Sequence, residues 1–214
     1  MTEKMVEKFD DKNLKRILIT IPNQGWLHTS CAHALIDICS DSRYNKEIAL
    51  PYRMPIEHNR NSIAKDFWEG DYDYWLSFDD DNPPTRNPLD LVELDLDIIS
   101  LPTPMWKFSK DRIGMRPVWL NAFDYNKKSD QYEEYKNCVG LQEVDGVGTG
   151  CILIAKRVFQ HPDLQKGAFF RDWNEDGTCR VGGDLMFCKR AKEAGFKIFS
   201  HYDYTCHHYK EVAL

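Results

Sequence analysis

Three consecutive aspartates, Asp79, Asp80 and Asp81, follow the apolar run Tyr74-Trp-Leu-Ser-Phe78 and precede Asn82-Pro83-Pro84. Neighbouring carboxylates repel one another, so a strand tip that carries them either binds a cation or forms a fully hydrated turn. A hard divalent ion such as Mn²⁺ or Mg²⁺ takes oxygen ligands, keeps positions open for water and bridges to phosphate oxygens, so one or two protein ligands suffice. Near the other end of the chain, Cys206-His207-His208-Tyr209 closes what reads as a last strand, where one imidazole could complete the coordination. Strand alternation puts His208 on the face of Cys206 and Tyr204 and His207 on the opposite one, which favours His208 and leaves His207 as the alternative. A pair of surface histidines is the competing reading.

Four further segments carry candidate chemistry. In Gly182-Gly183-Asp184 two glycines allow close backbone approach to a ligand, and Asp184 either caps the helix that follows or faces a substrate hydroxyl whose proton it can take. Gly146-Val-Gly-Thr-Gly150-Cys151 could cradle a sugar or form a bulge; it lacks the spacing of a phosphate loop. Arg60-Asn61, with His58 nearby, could pair with a diphosphate or be ordinary surface. The segment from Phe169 to Gly177, with Trp173 at its centre, mixes aromatic and acidic residues in a way that suits a sugar ring or an unremarkable polar loop. No nucleophile elbow of the serine-hydrolase kind is present.

These residues need elements to position them. Apolar runs and punctuation predict strands at 16–21, 47–50, 74–78, 97–101, 118–123, 147–155, 197–200 and 204–208. Helical spacing predicts helices at 30–39, capped by Thr29 or Ser30, at 61–69 with Ile63, Ala64, Phe67 and Trp68 inward, and at 184–194 up to Gly195. Alternating strands and helices followed by a strand-rich second half predict a doubly wound α/β domain built on a central mixed sheet flanked by helices, with ligands beyond the carboxyl ends of its strands. One domain over 1–214 is expected, with 1–100 as a nucleotide-binding half and 101–214 as the half that completes the metal and acceptor sites.

Bulk properties narrow the function classes. The formal net charge of −6 argues against a surface built to grip nucleic acid, so no nucleic-acid partner is expected. No apolar run reaches the ~18 residues of a membrane span, and the polar start, 1–15, does not read as a signal peptide. A soluble cytoplasmic protein is the expectation. Seven cysteines, an odd number without a C-x-x-C pair, suggest buried thiols in a reducing compartment rather than a disulfide framework or a zinc ribbon.

Taken together, Ile-Thr-Ile-Pro after the first strand, Arg60-Asn61 before a helix, the strand ending in Asp79-Asp80-Asp81, the strand from Gly146, Gly183-Asp184 and a late histidine resemble nucleotide-sugar glycosyltransferases of the GT-A type over nearly the whole chain. The resemblance implies a D-x-D motif on Asp79 and Asp81, with Asp81 and the C-terminal histidine holding Mn²⁺ (or Mg²⁺) and Asp79 a further candidate ligand. It further implies that Asp79 and Asp80 reach the ribose or sugar, that Thr20, Ile21 and Pro22 border the base, and that Arg60 adds charge near the donor. Asp184 then falls at the acceptor-side acid, although Gly183 stands where a second acid is more usual; Gly150, Trp173 and Gly183 would meet the sugar or acceptor. The donor would be a UDP-sugar and the acceptor a glycan or glycoprotein. The chain also looks like the glycosyltransferase domain with which large algal viruses (chloroviruses) build capsid glycans, which implies a hexose or deoxyhexose donor, a host-cytoplasmic setting and the option of a longer parent polypeptide. The competing classes are a sugar-phosphate nucleotidyltransferase, whose basic glycine-rich loop Pro22-Asn-Gln-Gly25-Trp lacks, and a non-catalytic Ca²⁺-dependent carbohydrate-binding module.

Overall fold

The computed structural model describes residues 4–5, 14–52, 55–108 and 115–209, so most of the polar start at 1–15 lies outside the described residues. The strands are β1 (Lys4–Met5), β2 (Arg16–Thr20), β3 (Asn45–Ala49), β4 (Tyr74–Phe78), β5 (Ile98–Ser100), β6 (Pro104–Phe108), β7 (Met115–Leu120), β8 (Ala122–Asn126), β9 (Gln131–Glu134), β10 (Leu141–Val144), β11 (Gly146–Val147), β12 (Cys151–Ala155), β13 (Asp172–Trp173), β14 (Cys179–Val181) and β15 (Ile198–His201). The helices are α1 (Thr29–Ser40), α2 (Ile56–Glu69), α3 (Lys156–Gln160) and α4 (Gly183–Glu193).

Eight strands form one mixed sheet in the order β1-β3-β2-β4-β12-β5-β15-β10. β2 runs parallel to β3 and β4, β15 runs parallel to β5, and β12 lies antiparallel between β4 and β5. The expected α/β architecture, a central mixed sheet with helices against it, is therefore the one observed. All five residues of β4 are buried, as a strand covered on both faces requires. Alternation divides its side chains: Tyr74, Leu76 and Phe78 join Ile17, Ile19 and Ile38 of α1 on one face, while Trp75 meets Phe67 of α2, Phe159 of α3 and Phe187 of α4 on the other. Two apolar layers thus clamp the strand whose end carries the aspartates.

Several boundaries differ from expectation, each for a physical reason. Helix α1 is capped by His28, whose Nδ1 accepts the Ser30 N–H at 3.2 Å, rather than by Thr29 or Ser30; the His28 N–H is itself tied to the Asp80 carbonyl, which fixes the chain one residue earlier. Helix α2 begins at Ile56 instead of 61, so Arg60 lies within it, on the buried face it shares with Ile63, Ala64 and Phe67, while Trp68 is only partly buried. The run 118–123 breaks at Asn121, whose side chain accepts the Thr103 N–H, and 147–155 breaks at the turn Gly148-Thr149-Gly150. Residues 204–208 are not a strand, and only Cys206 bridges to Pro84. The prolines explain that: this segment donates its N–H groups to the carbonyls of Pro83 and Pro102, and proline returns no N–H to build a ladder. Among the described residues no helix is long and apolar enough to cross a membrane. Cys31, Cys151, Cys188 and Cys206 are buried, and all seven cysteines are free.

One buried bond ties β2 to β4: the Trp75 indole N–H donates to the Thr20 hydroxyl at 2.8 Å, with both residues inaccessible. Thr20→Val keeps the shape and leaves that N–H without an acceptor, so stability should fall by about 1–3 kcal/mol with an unchanged denaturant m-value, as read from urea unfolding.

Candidate active site

The loop after β4 is held by its backbone. The Asp79 N–H donates to the Gly150 carbonyl, while the carbonyls of Asp79, Asp80 and Asp81 accept the N–H groups of Asn82, His28 and Tyr209. The Cys31 thiol also lies 3.7 Å from the Asp79 carbonyl oxygen. Every backbone anchor is thus supplied by protein, and the carboxylates are presented on a fixed frame. Gly150 is required by close approach, since a Cβ there would lie 3.0 Å from both Asn82 Oδ1 and Thr103 Oγ1. The same holds for Gly148 against Asn121, so these glycines are set by packing around the aspartate loop.

Asp81 meets His208. Asp81 Oδ2 lies 3.7 Å from His208 Nε2, with the two side chains 17% and 11% exposed. His208 Nδ1 is 2.7 Å from the Pro104 carbonyl, which can only accept, so Nδ1 donates there and Nε2 is the nitrogen turned toward the carboxylate. That arrangement orients an imidazole for metal ligation in the usual way, with the remote nitrogen tied to a carbonyl. His207 is exposed and packs near Tyr209 instead. Among the described residues no group of three or more His, Cys, Asp or Glu side chains is assembled for a metal ion. A hard cation would therefore rest on an oxygen and a nitrogen donor and fill its other positions with phosphate oxygens and water, a set that the chemistry of Mn²⁺ and Mg²⁺ accepts. Two donors 3.7 Å apart also fall within the span of ligands that each sit roughly 2.1 Å from one ion.

Asp79 turns to the other side, toward Arg60 and Asp184. The nearly buried Arg60 guanidinium donates to Asp184 Oδ1 at 2.5 Å and lies 3.6 Å from Asp79 Oδ1. The second Asp184 oxygen accepts the Thr149 N–H at 3.3 Å, and Gly182 caps α4 without any side-chain bond, so Asp184 is not the helix cap. Desolvation pushes the Asp79 carboxyl up to about 7, against the pull of Arg60 and with Asp184, Asp81 and Asp80 repelling in the same direction. Burial and the charges of Asp81 and Asp80 likewise raise the Cys31 thiol to about 12, so it remains protonated. The site carries excess negative charge that a cation would relieve.

The other predicted residues are distributed around this centre. Thr20, Ile21 and Pro22 are all buried at the end of β2, and they form the floor rather than an open surface. The first accessible residue there is Asn23, whose side chain ties the turn through the carbonyls of Ile21 and Pro51. Gly183 is buried against Glu57 of α2, and Trp173 stands more than half exposed on the β13–β14 hairpin. Sequence reasoning missed His28 and Tyr209, whose rings stack at 3.7 Å over the aspartate loop, because no spacing rule links residues so far apart. It also missed Asn82, although its position beside the triad was a signal: its side chain donates to Asp81 Oδ1 at 3.2 Å.

No protein-family model matches the chain, and no curated protein matches it in sequence. Solved structures do match it in shape. The crystal structure of A197 from STIV superposes with a TM-score of 0.60 at 18% identity, over 92% of this chain and 86% of that one. The crystal structure of GalNAc-T7 with UDP, GalNAc and Mn²⁺ superposes with a TM-score of 0.56 at 11% identity, over 94% of this chain and 45% of that one. The fold is GT-A-like. At these identities the likeness concerns architecture, and in a GT-A-like sheet the carboxyl ends of β2 and β4 are where the aspartate loop, Arg60, Asp184 and His208 converge.

The raised Asp79 carboxyl has a consequence for the metal-free protein. Below about pH 4 the group is neutral folded or unfolded; as pH rises toward 7 only the unfolded chain ionises it freely, so the folded state loses stability across that window. Asp79→Asn should therefore stabilise the metal-free protein at pH 8 by on the order of 1 kcal/mol, or about 2–4 °C in Tm, because solvent at the mouth screens part of the shift. The gain should vanish near pH 4 in calorimetric scans.

Proposed function

We propose that this protein is a metal-dependent glycosyltransferase that moves a hexose or deoxyhexose from a UDP-sugar to a hydroxyl of a glycan or glycoprotein. The observation that carries the reading is the Asp81–His208 pair: a carboxylate and a correctly oriented imidazole nitrogen face each other across 3.7 Å at the tip of a buried strand in a GT-A-like fold. The fold likeness to a structure that contains UDP, GalNAc and Mn²⁺ supports the same reading. When bound, Mn²⁺ or Mg²⁺ supplies Lewis-acid stabilisation of the diphosphate as the sugar leaves, worth several kcal/mol.

The remaining work falls to the chain itself. Asp81 and His208 hold the ion, and the backbone frame around residues 79–81 keeps their geometry fixed before the donor arrives. Asp79 and Asp80 accept hydrogen bonds from ribose or sugar hydroxyls. Arg60 places positive charge between donor and acceptor sides and holds Asp184 in place. With one oxygen on Arg60 and the other on the Thr149 N–H, Asp184 is held in a fixed position from which it orients the acceptor hydroxyl or takes its proton. Gly150 and Gly183 allow the close packing that holds the aspartate loop and Asp184 in place beside the sugar. The whole chain acts as one glycosyltransferase domain in this account, and a growing capsid glycan is the specific acceptor suggested by the viral resemblance.

The test is a panel of nucleotide sugars assayed with and without Mn²⁺ for binding and slow donor hydrolysis. At least one UDP-sugar should turn over with metal, and both Asp81→Ala and His208→Ala should lower that turnover about 100-fold or more while the circular-dichroism spectrum and Tm stay near wild type. Full activity in Asp81→Ala removes the proposal.

A further inference from the structure

A cavity of about 540 Å³ lies away from the aspartate loop, along the outer side of α4. Its floor is Leu185, Met186 and Lys189, and its walls are two hairpins, β8–β9 and β13–β14. Asp184 leaves the same first helical turn on the opposite side, toward Arg60, so the cavity is not the donor pocket. At its upper end the wall is Gly182, where an added Cβ would meet nothing within 4 Å. A flexible polymer can pass over that open backbone from the cavity toward Asp184.

The lining defines what fits. Tyr125 and Tyr132 present a tilted aromatic pair with centroids 5.2 Å apart. Arg180 ties the two hairpins together, donating to Asp172 of one and to Asp130 of the other, while the Tyr125 hydroxyl donates to the second oxygen of Asp130. Formal charge is balanced, with Asp130 and Asp172 against Arg180 and Lys189. Because Arg180 is already held by two carboxylates, a phosphate or sulfate entering the cavity would meet two acids beside a guanidinium whose charge they balance. Neutral hydrogen-bonding groups, Ser129, Gln131 and Asn174, complete the rim. Aromatic faces among neutral and charge-balanced polar groups suit a ring with an apolar face and many hydroxyls, and the volume lies within the range of small-ligand sites.

We infer that this cavity binds a neutral oligosaccharide, the portion of the acceptor glycan beyond the hydroxyl that reacts at Asp184. The inference rests on the glycosyltransferase reading for the identity of that ligand as an acceptor, while the binding itself is separable from it. The cavity then sets acceptor specificity, and the donor site works without it.

Isothermal calorimetry and saturation-transfer NMR on the full chain test this with neutral gluco-, manno- and galacto-oligosaccharides of two to four units, and with an oligogalacturonate as the charged comparison. At least one neutral oligosaccharide should bind, the oligogalacturonate should not, and Tyr125→Ala should weaken binding tenfold or more. Ser129→Trp, at an exposed turn position, should block the cavity to the same extent while the circular-dichroism spectrum and Tm stay near wild type. Affinity for UDP with Mn²⁺ should be unchanged in both variants. If no neutral oligosaccharide binds, or if the filled variant binds as well as wild type, the inference is overturned. Loss of UDP–Mn²⁺ binding in the wild-type protein alongside intact oligosaccharide binding would instead defeat the donor reading alone.

Discussion

A strand buried on both faces that ends in three carboxylates needs water, a cation or a protein group to answer their charge. Part of the answer is internal: Arg60 reaches from α2 to Asp79 and Asp184. Two apolar layers clamp β4, backbone bonds from Gly150, Asn82, His28 and Tyr209 fix the loop, and the acids are pressed together on a frame that does not relax. Burying acids in this way costs stability, and the rise in the Asp79 carboxyl, driven first by desolvation and then by the neighbouring acids, is one measure of that cost. A site that holds unfavourable charge in place matches the cation and phosphate-bearing ligand of the proposed function.

The segment 205–209 has a structural part in that preparation. It runs beside the aspartate loop, joined to Thr85, Pro83, Pro102 and Asp81 by backbone bonds, and it brings His208 to Asp81 and Tyr209 onto His28. The carbonyls of Pro83 and Pro102 accept two of these bonds, and neither proline has an N–H to extend them into a sheet, so the segment remains an irregular strap whose side-chain directions are set one residue at a time. That is how His208 points inward while His207 faces solvent. Under the proposed function, metal affinity therefore depends on the order of this segment.

Much of this was legible in the sequence because strong local signals coincided with the global fold. Tyr74–Phe78 followed by aspartates read as a buried strand with a polar tip, and the helix opened by Gly183-Asp184 fell within one residue of its observed start. What was not legible came from tertiary contacts. Arg60 completes the buried stripe with Ile63, Ala64 and Phe67, but a charged residue masks the 3.6-residue period, so the start of α2 was placed late. The cap by His28 depends on Asp80 and Tyr209, far away in the chain. Thr20, Ile21 and Pro22 lie buried at the end of the first long strand, and a buried run cannot reveal which of its neighbours reaches the surface. Strand alternation did separate His208 from His207 correctly in direction, even though the segment is not a strand.

The central claim is that Asp81 and His208 share a divalent ion with the diphosphate of a nucleotide. A crystal structure of the chain soaked with UDP and Mn²⁺ tests it most directly, using the anomalous signal of manganese. The account predicts a single strong peak bonded to one Asp81 oxygen, His208 Nε2 and oxygens of both phosphates. Ordered UDP with manganese elsewhere, or no peak between these two side chains at saturating metal, would contradict it.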